Sequence, residues 1–163
     1  MRTSVDQISD LEQLFHHKFA QQHTTEQELV EIFDEMATNA TNDRLSKGVA
    51  DHRDEIRMQV TRLEDVFAAL DRPAEQREAP ILDGLEQDRR MLEDAIEDDD
   101  LRNTISLNAA MMTEGIEMSA YEGLSTMATQ IGYDDEIRKP LESNFDEGNP
   151  RIANCRRWNP QLS

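Results

Sequence analysis

LNAAMMTEGIEMSAYEGL, residues 107–124, is the stretch that decides how this chain folds. Leu107, Ala110, Met111, Met118, Tyr121 and Leu124 recur at three- and seven-residue intervals, the repeat of one helical face. Glu114 and Glu117 fall inside that stripe, three residues apart. A helix that needs only stability fills such positions with apolar side chains, because a buried carboxylate is costly unless it is paired or metal-bound. The stretch therefore predicts a long helix that turns two carboxylates toward the interior.

Outward from this stretch the helical period continues and nothing alternates with the period of a strand. A first helix is expected over residues 5–40, with Ile8, Leu11, Leu14, Phe15, Phe19, Leu29, Ile32, Phe33 and Met36 on its stripe. A second is expected over 43–70, capped by Asn42 or Asp43 and stopped by Asp71-Arg72-Pro73. After a polar linker, 80–97 reads as a shorter helix through Ile81, Leu82, Leu85, Met91, Leu92 and Ile96. The long helix runs over 101–131 and ends on Gly132. A last helix starts at Asp134, carries Pro140, and is expected to weaken near Gly148. The extra helix between the second and fourth segments suits a crossover joining two hairpins. That is the ferritin-like way of connecting a four-helix bundle. The expected organisation is one helical bundle over 1–147 and an irregular tail over 148–163, with Trp158 docking the tail.

The other main helices repeat the motif of polar residues on an apolar face. Glu26 lies three residues before Leu29 and seven before Phe33. His52 falls between Val49 and Ile56, with Glu55 three residues on. Asp146 and Glu147 follow Phe145 on the last helix. Any single glutamate is weak evidence in a chain with 35 Asp and Glu, and His52 alone could be a hydrogen-bonded core histidine. The combination carries more. Carboxylates converging at mid-bundle repel one another unless they hold protons or cations. Two divalent ions bridged by carboxylates and completed by imidazole resolve the conflict. Oxygen-rich sites with a little nitrogen suit iron or manganese better than copper, and zinc is compatible. His16, His17 and His23 are expected at the surface or an interface, and the eight methionines as soft core filler.

Composition bounds the partners. Net charge −18 would repel a nucleic-acid backbone. Lysine is confined to Lys18, Lys47 and Lys139, which, with so many short acids, points to a salt-adapted organism; an ordinary acidic protein is the plainer reading. Cys155 is a lone cysteine, so neither an intrachain disulfide nor a thiolate metal site is expected. No stretch is long and apolar enough to span a membrane, and the polar N-terminus does not read as a signal peptide, so the expected location is the cytoplasm.

Several runs together resemble the YciE/YciF family of ferritin-like stress proteins. They are Thr25-Glu26-Gln27-Glu28-Leu29, Thr41-Asn42-Asp43-Arg44-Leu45, His52-Arg53-Asp54-Glu55, and Gln59 through Phe67. Leu82-Asp83-Gly84-Leu85, Glu114 through Tyr121, and Gln130-Ile131-Gly132-Tyr133 extend the likeness, which covers about residues 8–147. The resemblance implies a di-iron centre with Glu26, His52, Glu55, Glu114 and Glu117 as ligands, closed by Asp146 or Glu147. It further implies oxidation of Fe(II) by dioxygen or peroxide in stress protection. A symmetric homodimer through the long helices is expected whether or not the metal centre works. Tyr121 would lie near the metals, either carrying an oxidising equivalent or serving as a structural hydroxyl. The chain departs from the family at Gly115 and Ile116, where the family has histidine and tyrosine, and at Pro140 and Gly148 in the last helix. The competing expectation is a helical structural or interaction protein without a working metal centre.

Overall fold

The computed structural model describes residues 5–158, with side chains described as far as Gly148. It contains five helices: α1 (Leu11–Asn39), α2 (Asp43–Ala69), α3 (Pro80–Ala95), α4 (Asp99–Ile131) and α5 (Asp135–Trp158). No strand occurs among the described residues.

Local chemistry sets the helix ends. Asp10 accepts from the Gln13 N–H at 2.8 Å, and Gln13 Oε1 accepts from the Ser9 N–H at 2.9 Å, a reciprocal cap. The expected start at residue 5 is therefore corrected to Leu11. Val5 and Ile8 are exposed, so no apolar contact draws the helix back over them. Asn42 caps α2 through the Leu45 N–H, and Asp98 caps α4 through the Leu101 N–H. Pro80 opens α3 at the position where its missing N–H matters least. Gly132 adopts φ 89° at the end of α4, and its N–H and that of Tyr133 both return to the Ala128 carbonyl.

α1 pairs with α2 and α4 with α5, while α2 also meets α5 and α1 meets α4. Phe15 touches Tyr133 and Glu26 touches Tyr121, so α1 and α4 are antiparallel. Gln59 meets Glu147 and Arg62 meets Asn144, so α2 and α5 are antiparallel as well. α2 and α4 consequently run the same way, and the chain must travel the length of the bundle between them. Residues 70–98, with α3 laid on α4, make that return. This is the crossover bundle the sequence leads one to expect. Because α3 lies outside the four main helices, Ile81, Met91 and Leu92 of its apolar face stay exposed. Met58, Met91 and Met112 are exposed too, whereas Met36 is buried in the core and Met111 and Met127 pack against it, so the expectation of methionine as core filler holds in part.

The last helix departs from expectation. It runs through Gly148 and Pro150 to Trp158, where an irregular tail was expected from residue 148. Gly148 is a packing residue rather than a stop. A Cβ there would lie 2.5 Å from Met118 Cγ, so glycine lets α5 approach α4 closely. The docking role expected of Trp158 and the course of 159–163 lie outside the described residues.

The interior has two apolar clusters. One gathers Leu29, Phe33, Met36, Leu45, Val49, Ile56 and Leu107. The other gathers Phe15, Phe19, Leu63, Val66, Phe67, Leu124 and Leu141. Each fully buried side chain of this size contributes roughly 1.5–3 kcal/mol. Along α1 the clusters are separated by buried Gln22, His23, Thr24 and Glu26, and along α4 by buried Thr113, Glu114 and Glu117. A polar layer thus crosses the middle of the bundle.

Candidate metal centre

The polar layer brings together three side chains predicted from the sequence. His52 on α2 and Glu114 and Glu117 on α4 are all buried, and each offers a ligand atom within 4.8 Å of the others. This is the cluster with metal-holding geometry among the described residues. The three-residue step between Glu114 and Glu117 puts both carboxylates on the inner face of α4. His52 sits one turn from Val49 and from Ile56, which carries its ring inward, where Phe33 packs edge-on at 4.8 Å. His52 Nε2 contacts Glu114 Oε1.

Glu26 is fully buried on α1, opposite α4. Its Oε1 accepts from the Tyr121 hydroxyl at 2.5 Å and from Gln22 Nε2 at 3.2 Å. Burial, and then the charges of Glu26 and Glu117, push the Tyr121 phenol well above its ordinary value of 10. Both carboxylates therefore share its surroundings, and the phenol keeps its proton at neutral pH.

The remaining predicted residues are arranged differently. Glu55 is half exposed, with Oε2 3.7 Å from His52 Nδ1, the ring nitrogen other than the Nε2 that meets Glu114. Glu147 is partly buried and meets Gln59 Nε2 at 3.1 Å and Arg62 at 2.6 Å. Asp146 is exposed on a groove with Glu122, Thr126 and Glu142. The structure thus unites three of the seven predicted ligands in one cluster and sets Glu26 against Tyr121 beside it.

His23 is buried against Phe67, contrary to the expected surface or interface position, with Glu64 3.6 Å away. Gln22, Gln59 and Asn144 are buried polar groups that the sequence reading did not single out as functional. Gln22 was findable, because it stands one turn before Glu26 and supplies the donor a buried carboxylate needs.

Two helical hairpins joined by a long crossover, with one buried histidine–carboxylate cluster among the described residues, define a ferritin-like bundle able to hold metal. The chain belongs to the DUF892 family, a domain of unknown function, which matches residues 10–150. It is 24% identical over 141 residues to Protein YciF of Escherichia coli K12, covering 86% of this chain and 84% of that protein. Among solved structures, YcfI of Rhodopseudomonas palustris, provisionally a structural protein, shares 26% identity. It superposes with a TM-score of 0.88 over 94% of this chain and 97% of its own. The E. coli stress protein YciF superposes with a TM-score of 0.86 over 93% and 96% at 21% identity, a likeness of fold. No described helix is long and apolar enough to cross a membrane.

Proposed function

We propose that this chain holds two metal ions, iron by preference, and supports oxidation of Fe(II) by dioxygen or peroxide as a protection against stress. The observation that carries the reading is the convergence of His52, Glu114 and Glu117 in a buried layer between two apolar clusters. One imidazole with several carboxylates suits iron or manganese, and zinc is compatible. His52, Glu114 and Glu117 would hold one ion, and Glu26 would share the second with Glu117. When iron is bound, the chemistry supplied there is the one-electron oxidation of each Fe(II) by dioxygen or peroxide.

The chain's own residues prepare that site. Tyr121 stays protonated and aims a hydrogen bond at Glu26, so it positions the carboxylate rather than reacting. Gln22 holds the same oxygen from its own helix. Glu55 faces the outer nitrogen of His52, where a carboxylate fixes the ring and leaves Nε2 toward the metal. On α5, Glu147, which pairs with Arg62, would close the site, whereas Asp146 would have to turn inward from the surface.

The same reading takes the protein as a cytoplasmic homodimer from a salt-adapted organism, with neither nucleic acid nor membrane as partner. Net charge −18 and the scarcity of lysine support the salt adaptation and the lack of a nucleic-acid partner. One observation favours the alternative, a structural or interaction bundle without a working centre: the ion pair of Glu147 with Arg62 occupies the carboxylate expected to close the fourth side.

Thermal unfolding with Mn(II) in concentrated salt separates the two. Saturation at a hundred times Kd stabilises by about 2.7 kcal/mol, a rise of roughly 5–10 °C for a domain of this size. Wild type should show that rise, and His52→Ala and Glu114→Ala should not. An equal rise in all three, or none in wild type, defeats the reading.

A further inference from the structure

A second cavity shares a wall with the metal centre. It lies between α1, α3 and α4 and has a volume of about 710 Å³. Leu82, Leu85, Ile116, Leu124 and Met127 give it apolar walls. Dioxygen and peroxide are diatomic in heavy atoms, whereas 710 Å³ falls within the range of pockets that enclose whole organic ligands. Glu117, a member of the metal cluster, and Gln22, which holds Glu26, both line it.

The charges on its walls are Lys18 and Glu117 alone. Lys18 differs from the other lysines. Lys47 pairs with Asp51 and Lys139 with Asp135, whereas Lys18 bonds the neutral Gln21 at 2.8 Å and makes no ion pair among the described residues. In a chain of net charge −18, a cation left without a carboxylate at the end of an apolar cavity is a distinctive feature. It fits an anionic head attached to an apolar body. A second copy would instead bring a further net charge of −18 toward Glu117.

We propose that this cavity binds an apolar monocarboxylate, with its carboxylate on Lys18 and its chain laid along α4 past Glu117. Lys18 is eight residues before Glu26, and Glu117 is one turn beyond Tyr121 on the antiparallel helix. The two charges are therefore on the order of 15 Å apart along the cavity, so the hydrocarbon rather than the carboxylate lies beside the metal layer. That such an acid is presented to a metal centre rests on the di-metal reading above; its binding does not.

The test is calorimetric titration of the full-length, metal-free chain with decanoate and with 1-decanol in concentrated salt. Decanoate should bind saturably to wild type at one molecule per chain. Lys18→Met should weaken decanoate at least tenfold and leave decanol unchanged. Gly123→Leu should abolish both, because a Cβ at Gly123 meets nothing within 4 Å and a larger side chain there enters the cavity. Gly115, equally open and on the same wall, gives a second blocking variant, Gly115→Leu, should the first not fold. Each variant should keep its helical circular dichroism and its Mn(II) thermal shift. Absence of saturable decanoate binding to wild type, or binding undiminished in both leucine variants, overturns the proposal. So does a wild-type dimer that Gly123→Leu splits and decanoate does not, because a second copy would then cover the cavity. Decanoate binding without any Mn(II) shift upholds this proposal and defeats the metal reading alone.

Discussion

The hydroxyl of Tyr121 on α4 donates to Oε1 of Glu26 on α1 at 2.5 Å, and both side chains are buried. The bond links the two hairpins at the level of the polar layer. It also explains how a carboxylate can sit on the apolar stripe of α1, since a hydrogen bond to a buried charge recovers part of its lost hydration.

Tyr121→Phe should therefore cost about 1.5–3 kcal/mol, the range for a hydrogen bond to a charged group. Urea unfolding of the metal-free chain measures it. The Mn(II) thermal shift should also shrink, because Glu26 loses the group that aims it. A loss below about 0.5 kcal/mol would mean that the phenol is not holding Glu26.

Glu55 and His52 should separate cleanly in metal affinity. A carboxylate behind a ligating histidine acts through the ring, and its removal typically weakens metal binding about 10- to 100-fold. Glu55→Gln should fall in that range by competition with a chelator, whereas His52→Ala should lose measurable binding. Equal, complete loss in both would make Glu55 a direct ligand.

Two glycines should respond with opposite sign. At Gly148 an added Cβ lies 2.5 Å from Met118 Cγ, so Gly148→Ala overpacks the α4–α5 contact and should destabilise by about 1–3 kcal/mol. Combined with Met118→Ala, part of that loss should return. At Gly123 a Cβ enters open space, and Gly123→Ala should stabilise by up to ~1 kcal/mol through helix propensity. Denaturant midpoints for the four proteins decide this.

Burial holds the His23 imidazole below its ordinary value of 6.5, against the opposing pull of Glu64. Below that pH the unfolded chain takes up the proton before the folded chain does. The contribution is thus fully present above about 6.5 and is lost as pH falls beneath it. His16 and His17, also lowered by burial, add in the same sense. His23→Leu should flatten part of the fall in stability between pH of about 7.5 and about 5. An unchanged slope would assign the loss to the other groups.

Much of this was legible in the sequence because helices advertise themselves by period. The stripes through Phe15 and Phe19, through Leu63 and Phe67, and through Leu107 and Leu124 are the core, and Asn42 and Gly132 cap where their chemistry says they should. His52, Glu114 and Glu117 were readable for the same reason, as polar residues on apolar stripes that the bundle brings together. For Glu55, three residues from His52 places a side chain near the ring without saying on which side of it. Asp146 and Glu147 were least legible. Which of the two faces the interior depends on how α5 packs on α4, where Gly148 lies against Met118, and that is not a local property of the last helix. The same contact hid its length, because Gly148 and Pro150 read locally as breakers while tertiary packing carried the helix past them. His23 was misread because nothing nearby in sequence announces Phe67 across the hairpin.

A buried pair of metal ions should be countable by iron loading. Metal-free protein is to be loaded anaerobically with Fe(II) in concentrated salt, its bound iron counted per chain, and the sample then exposed to air and followed in the near ultraviolet. About two tightly bound irons per chain are expected, oxidising together and giving the absorbance of an oxygen-bridged ferric pair. One iron or none, with no such band, would contradict it and leave a bundle that keeps the fold without the chemistry.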